Sequence, residues 1–302
     1  MTHRAIIAST PDHDYSFLAL IAALLWRDRI GFTPSLFLVG TEAEWQTHQY
    51  ARVVMGAISH HSIHHVFVPH MEGVLDKTIA QCCRQYAACH PFPDGDYLLC
   101  SDADLLPLRK EFYHQQNLKT HAIGLWYANA YLGEEDFHWP SCHYGALASI
   151  WREVIGLEIG KMAECMTRNF AEYGLPEKMA AWNAEVARAQ AAKEPADAKH
   201  FWPVWFTDEL VASKKIKESQ YYPSRVLKIP RDGHPPKDRL DRSSWPFFID
   251  PAKYTDCHSL RPGWSAPNWP RLAPFLKKVL PGHEKWLDQY RQDFRDAIGV
   301  DA

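Results

Sequence analysis

Tyr97-Leu98-Leu99-Cys100-Ser101-Asp102-Ala103-Asp104 is the stretch that decides how this chain reads. An apolar run this short, preceded by the turn residues Asp94 and Gly95, predicts a buried strand over 96–100. Asp102 and Asp104 then stand where the strand leaves its sheet. Two carboxylates so close repel each other unless a cation lies between them, so the pair suits a divalent metal, Mn²⁺ or Mg²⁺. An ordinary turn or helix cap uses the same residues, and the surroundings must decide between the two.

Upstream, Ala5 to Ser9 predicts a first strand, and Tyr15 to Arg29 a helix ended by Gly31. Ser35 to Val39 and His65 to Val68 read as further strands, with helices over Glu42 to Met55 and Asp76 to Ala88 between and after them. This βαβαβ opening predicts an α/β fold with a mostly parallel central sheet flanked by helices. The acid pair falls at the carboxyl end of such a strand, where open α/β sheets bind their ligands.

Downstream, His121 to Tyr127 and Val226 to Ile229 read as strands, and Tyr144 to Ala148 leads into a helix around Ile150 to Val154. The segment from Glu158 to Lys199, rich in Ala, Glu, Lys and Met and broken at Gly174-Leu175-Pro176, predicts an inserted helical hairpin. A short helix from Thr207 to Lys217 follows the aromatic run Phe201 to Phe206. Arg231 to Ser244, charged and proline-rich, reads as the longest irregular loop. The tail from His283 to Ile298 places Trp286, Leu287, Tyr290, Phe294 and Ile298 on one helical face, which suggests docking on the body of the protein. The expected division is one large domain over 1–270, carrying the insertion at about 158–200, and a helical extension over 271–302.

The bulk properties narrow the partners. A formal net charge of −3 over 302 residues gives no field that would gather nucleic acid, and at most peripheral membrane contact is expected. Seven cysteines with no C-x-x-C pair fit a reducing compartment. The apolar stretch from Phe17 to Trp26 is too short to span a bilayer, so a cytoplasmic protein is expected. Twelve Trp and thirteen Tyr exceed what the core needs, and aromatic faces of this kind stack on sugar rings as well as filling cores.

The strand ending in Asp102-Ala103-Asp104, its continuation Leu105-Leu106-Pro107-Leu108 and the α/β units before it together resemble the GT-A fold glycosyltransferases over roughly residues 4–265. The resemblance implies a metal-dependent enzyme that moves a sugar from a nucleoside-diphosphate sugar donor to a hydroxyl of a glycan or glycolipid acceptor. His258-Ser259-Leu260-Arg261-Pro262-Gly263-Trp264 is similar to the late histidine segment of several such families, which makes His258 a third metal ligand beside Asp102 and Asp104, and Arg261 the partner of the diphosphate. Thr207-Asp208-Glu209 is similar in placement to the acidic acceptor-side motif of inverting members, with Asp208 first and Glu209 second as the base. Ser9, Thr10 and Asp12, after the first strand, would hold the nucleotide with Lys77, and Gly145 would let the backbone approach a sugar.

The chain departs from the retaining pattern, because Arg-Pro here precedes Gly-Trp where a Lys-Pro-Trp ending is usual, and the stereochemical course stays open. Other readings remain. A haloacid-dehalogenase-type, Mg²⁺-dependent phosphatase also uses D-x-D after an apolar strand, although its motif normally opens the fold. A GT-A-like domain that binds a glycan or nucleotide sugar without turnover is the non-enzymatic alternative. The histidines from His60 to His65 lack an acidic or thiol partner at ligand spacing and read as solvated, while His138 and His143 are candidates for lining an acceptor site.

Overall fold

A computed structural model of the chain describes residues 1–115, 118, 120–131, 138–233, 235–246 and 248–299. The expected opening is present. Strand β1 (His3–Ser9) leads to helix α1 (Tyr15–Leu25), which widens into a π turn (Trp26–Ile30) and stops at Gly31, φ 85°. Glycine adopts that left-handed conformation without a side-chain clash, which is why the helix ends there. Strand β2 (Thr33–Val39) follows. The single helix expected over 42–55 is two, α2 (Glu42–Thr47) and α3 (Gln49–His60), because His48 is extended between them.

Strand β3 (His64–Val68), helix α4 (Asp76–Cys83), strand β4 (Tyr97–Ser101), strand β5 (Leu105–Pro107), helix α5 (Lys110–Tyr113) and strand β6 (Ile123–Trp126) come next. Strand β7 (Tyr144–Leu147) runs directly into α6 (Ala148–Ile155). The insertion is a hairpin of α7 (Met162–Tyr173) and α8 (Leu175–Ala192), turned at Gly174. Helices α9 (Trp202–Trp205) and α10 (Thr207–Glu218) then lead to strand β8 (Val226–Ile229). Strands β9 (Arg239–Asp241) and β10 (Asp256–His258) and helices α11 (Trp269–Val279) and α12 (Glu284–Ile298) complete the chain.

The large sheet has the order β3-β2-β1-β4-β7-β6-β8 and is parallel except at β7, which runs against both β4 and β6. Its strands are nearly continuous in apolar residues because both faces are covered. One face packs on α1, α3, α11 and α12 around Trp26, Leu36, Leu272 and Phe294; the other packs on α4, α6, α7 and α10 around Ile6, Phe37, Trp151 and Ile216. Leu287, Tyr290 and Phe294 of α12 are buried, and Trp286 and Ile298 pack partly buried beside them, so the tail docks as its pattern suggests. The α/β fold class read from the sequence is the one observed. No helix among the described residues is long and apolar enough to cross a membrane.

A second, small sheet sits at the carboxyl end of the first, in the order β5-β10-β9. It corrects the reading of 231–244 as irregular throughout. Asp256 of β10 is buried between Arg239 of β9 and Arg231, accepting from Arg239 Nε at 2.9 Å and from Arg231 Nη2 at 3.1 Å. These ion pairs fasten a ribbon too short for its backbone bonds alone.

Candidate functional site

A cavity of about 310 Å³ opens where the carboxyl ends of β1 and β4 meet the small sheet and the start of α10. Of the residues singled out from the sequence, Ser9, Thr10, Lys77, Asp102, Asp104, Asp208, Glu209, His258 and Arg261 line it. They come from segments spread over most of the chain, and the carboxyl ends of β1 and β4, the small sheet and helices α4 and α10 bring them to one cavity.

Asp104 and His258 are joined by the β5–β10 pairing, in which His258 faces Leu105 and the Ser259 N–H donates to the Asp104 carbonyl at 2.9 Å. Oδ2 of Asp104 lies 3.4 Å from Nε2 of His258, 2.8 Å from Arg242 Nη1 and 3.2 Å from Arg261 Nε. Nδ1 of His258 faces Oδ2 of Asp241 at 3.2 Å, so the ring is oriented from behind by a second carboxylate. Burial works against charge on the imidazole, but the two carboxylates outweigh it and push His258 up to about 9. Burial likewise opposes ionisation of Asp104, and His258 and Arg242 hold it below the usual carboxylate range.

Asp102 turns the other way. Its Oδ1 accepts from Nη1 of Arg84, whose Nη2 donates to Asp208 Oδ2 at 3.1 Å and to Ser141 Oγ at 3.3 Å. Ser141 Oγ in turn donates to Asp208, and Gln85 Nε2 donates to the Asp208 carbonyl at 3.0 Å. Arg84 is buried, a cost offset by the two carboxylates, which hold it firmly protonated. Among the described residues no three His, Cys, Asp or Glu side chains converge in a set that could hold a metal ion. The Asp104–His258 pair has the oxygen and nitrogen donors and the carboxylate-backed imidazole that suit a divalent cation; Asp102 lines the same cavity but faces Arg84.

Glu209 follows Asp208 at the start of α10. Oε1 accepts from the Tyr131 hydroxyl and from the Ser141 N–H, each at 3.3 Å, and Oε2 lies 3.4 Å from His138 Nε2. Burial first, and the neighbouring Asp208 second, push its carboxyl well above the ordinary range. Burial raises Asp208 as well, against the pull of Arg84. The Arg84 fork stabilises the anion of Asp208 directly, so of these adjacent acids Glu209 has the stronger affinity for a proton.

Three expected residues do other work. Asp12 does not line the cavity; its Oδ1 accepts the N–H of Asp14 and of Tyr15 at 2.8 Å each and so fixes the start of α1. Gly145 lies inside β7, paired with Leu99 and Gly124, and a side chain there would collide with the ring of Tyr97. Close sheet packing, rather than a sugar, accounts for that glycine. His143 is buried against Tyr113 and Trp26, away from the cavity, while His138 stands beside Glu209.

Tyr15, Arg84, Ser141, Arg239 and Arg242 also line the cavity and were not singled out. Tyr15 lies under the guanidinium of Arg261, 4.6 Å from ring centre, with Lys77 at 5.8 Å. One sequence signal was available: Lys77, Gln81 and Arg84 recur at i, i+4 and i+7, which places them on one face of α4.

No family model matches the chain, and no curated protein matches it. Solved structures similar in architecture include the galactosyltransferase LgtC in complex with donor and acceptor sugar analogs, at 11% identity, 94% of this chain, 99% of that chain and TM-score 0.43. The bifunctional glycosyltransferase WbbM is 10% identical over 96% of this chain and 52% of its own, with TM-score 0.38. The glycosyltransferase GlyE of Streptococcus pneumoniae TIGR4 is 8% identical over 76% of this chain and 45% of its own, with TM-score 0.33. All three neighbours are glycosyltransferases. With identities of 8–11% and TM-scores below 0.5, the likeness carries no argument, and the chemistry must come from this chain's own side chains.

Proposed function

We propose that this chain is a glycosyltransferase that moves a sugar from a nucleoside-diphosphate donor to a hydroxyl of a glycan or glycolipid acceptor, with inversion at the anomeric carbon. One observation carries the reading. A single cavity is lined by the cations Lys77, Arg242 and Arg261, by the Asp104–His258 pair and by Glu209, whose carboxyl burial holds above the ordinary range. Anion-binding groups in one cavity with a proton acceptor of raised pKa are what displacement of a diphosphate by a hydroxyl requires.

In this proposal Ser9 and Thr10 meet the nucleoside, and Lys77 and Arg261 meet the diphosphate. Asp104 and His258, with Asp102 lining the same cavity, would hold a divalent ion, Mn²⁺ or Mg²⁺, whose charge would offset that of the phosphate oxygens. The acceptor hydroxyl oxygen bonds to the anomeric carbon as the bond from that carbon to the diphosphate oxygen breaks. Its proton passes to the carboxylate at α10, and the bonding electron pair leaves with the diphosphate. Glu209 suits that proton better than Asp208, which the sequence favoured, because Asp208 is committed to Arg84 and Ser141.

The test is a thermal-shift and isothermal-titration screen of UDP-, GDP- and dTDP-sugars with and without Mn²⁺, followed by assay of donor hydrolysis. Stabilisation by one donor class, strengthened by Mn²⁺, is expected. No response to any nucleotide sugar would reject the proposal.

A further inference from the structure

The same cavity has an aromatic wall that the transfer chemistry leaves unused. Trp205, Phe206 and Tyr131 line it, and Trp202, at the start of α9, continues the wall outward with 49% of its surface exposed. The Trp202 and Phe206 rings are stacked, 5.6 Å between centres at 25°. Phe206 meets Tyr131 at 6.3 Å, and the Tyr131 hydroxyl donates to Glu209 at 3.3 Å. A run of rings thus leads from open solvent to the carboxyl that takes the acceptor's proton.

The wall is held from behind. Phe201 packs on Trp182 of α8, with 4.9 Å between ring centres, and the Tyr173 hydroxyl of α7 donates to the Pro203 carbonyl at 3.1 Å. The inserted hairpin therefore buttresses α9. An exposed indole continuous with a polar cavity and fixed by a scaffold is what recognition of a flat, partly apolar ligand needs.

We infer that Trp202, Phe206 and Tyr131 form an acceptor subsite for a pyranose oligosaccharide, which packs against the exposed part of Trp202 and along the ring edges with its terminal hydroxyl directed to Glu209. The inference rests on the transferase reading and adds the acceptor's class: a glycan of at least two sugars, not a lone alcohol or a small metabolite. The C–H faces of the pyranose rings supply apolar contact, and the ring hydroxyls stay in water at the rim.

The probes are maltotriose, cellotriose, lactose and chitotriose, each titrated into the full chain and read by tryptophan fluorescence and saturation-transfer NMR. The comparison is between wild type, Trp202→Ala and Trp202→Phe. At least one saccharide is expected to bind wild type saturably, five-fold or more weaker in Trp202→Ala, and in between in Trp202→Phe. Trp202 is exposed, so the substitutions leave the core alone. Equal binding to Trp202→Ala, or no binding of any probe, overturns the inference. Trp202-dependent binding to phosphatidylcholine vesicles without a saccharide response also overturns it and makes the wall a membrane contact. Nucleotide-sugar binding is read in the same samples. Its failure with saccharide binding intact removes the transferase and keeps the wall; the reverse keeps the transferase and removes the wall.

Discussion

Asp104 and His258 face each other at 3.4 Å across the β5–β10 ribbon, and Asp241 stands behind the far nitrogen of the same imidazole at 3.2 Å. Far apart in sequence, the two are brought together by three residue pairs of antiparallel strand. In the metal proposal, Asp104 and His258 are ligands and Asp241 is the group that orients the ring. Asp241→Asn is expected to weaken Mn²⁺-dependent nucleotide binding by about 10- to 100-fold, the usual effect of losing an outer partner of a ligating histidine. Asp104→Asn is expected to abolish the Mn²⁺ dependence. Isothermal titration of the nucleotide with and without Mn²⁺ checks both, and an unchanged Mn²⁺ dependence in Asp104→Asn would reject the metal proposal.

Arg84 ties the end of β4 to the start of α10 by holding Asp102 and Asp208 on one guanidinium. Asp208 and Arg84 are buried, so Arg84→Met strands an anion in the interior, which costs about 3 to 5 kcal/mol. Arg84→Lys keeps the charge but not the planar fork and should fall in between. Urea unfolding measures the loss. A stability change below about 1 kcal/mol in Arg84→Met would mean that the two carboxylates find water or another partner.

The sequence displays what local chemistry decides. Continuous apolar runs bounded by turn residues show β1 to β4, and the carboxyl end of β4 follows from their alternation with helices. Three-residue strands carry no such pattern, so β9 hides in a charged loop until Arg239 is seen paired with Asp256. Helix α11 lies within the helical extension expected over 271–302 but has no bounds in the sequence, because Pro270 and Pro274 argue against a helix; one sits in its first turn, and the buried Leu272, Phe275, Leu276 and Val279 outweigh the other. Arg84 is legible only as one face of a helix; its partner Asp208 is set by how α4 packs on α10, which no local pattern encodes. Gly145 shows the opposite error, a glycine beside a strand end whose reason is a neighbouring tyrosine.

Glu209 and Asp208 make distinct predictions in spite of being adjacent. If Glu209 takes the acceptor proton, Glu209→Gln should lower kcat by about 100- to 10,000-fold with little change in donor binding. Only the deprotonated carboxyl accepts a proton, and burial raises its pKa, so kcat should climb with pH through a limb above the ordinary glutamate value of about 4.3. Asp208→Asn should instead lower stability through Arg84. A pH–rate profile of wild type, compared with the residual rate of each variant, separates the roles; near-normal turnover in Glu209→Gln would return the base to Asp208 or point to a retaining course.

Acid stability offers a test away from the site. The ring of His143 is packed between Tyr113, at 5.0 Å, and Trp26, at 5.9 Å, and its buried Nε2 has no hydrogen-bond partner among the described residues. Burial pushes its pKa down to about 3. The unfolded chain takes up that proton near pH 6.5 and the folded chain does not, so between those values the unfolded state binds more protons and stability falls as pH drops. His61, lowered by burial to about 4 beside Trp286, adds to the same slope. His143→Phe keeps an aromatic ring in the slot and removes the titration. Its unfolding free energy should lose about 1.4 kcal/mol less per pH unit than wild type between pH 6 and pH 4, one proton's worth, in urea titrations at each pH. A slope equal to wild type would mean that His143 is solvated or already charged in the folded chain.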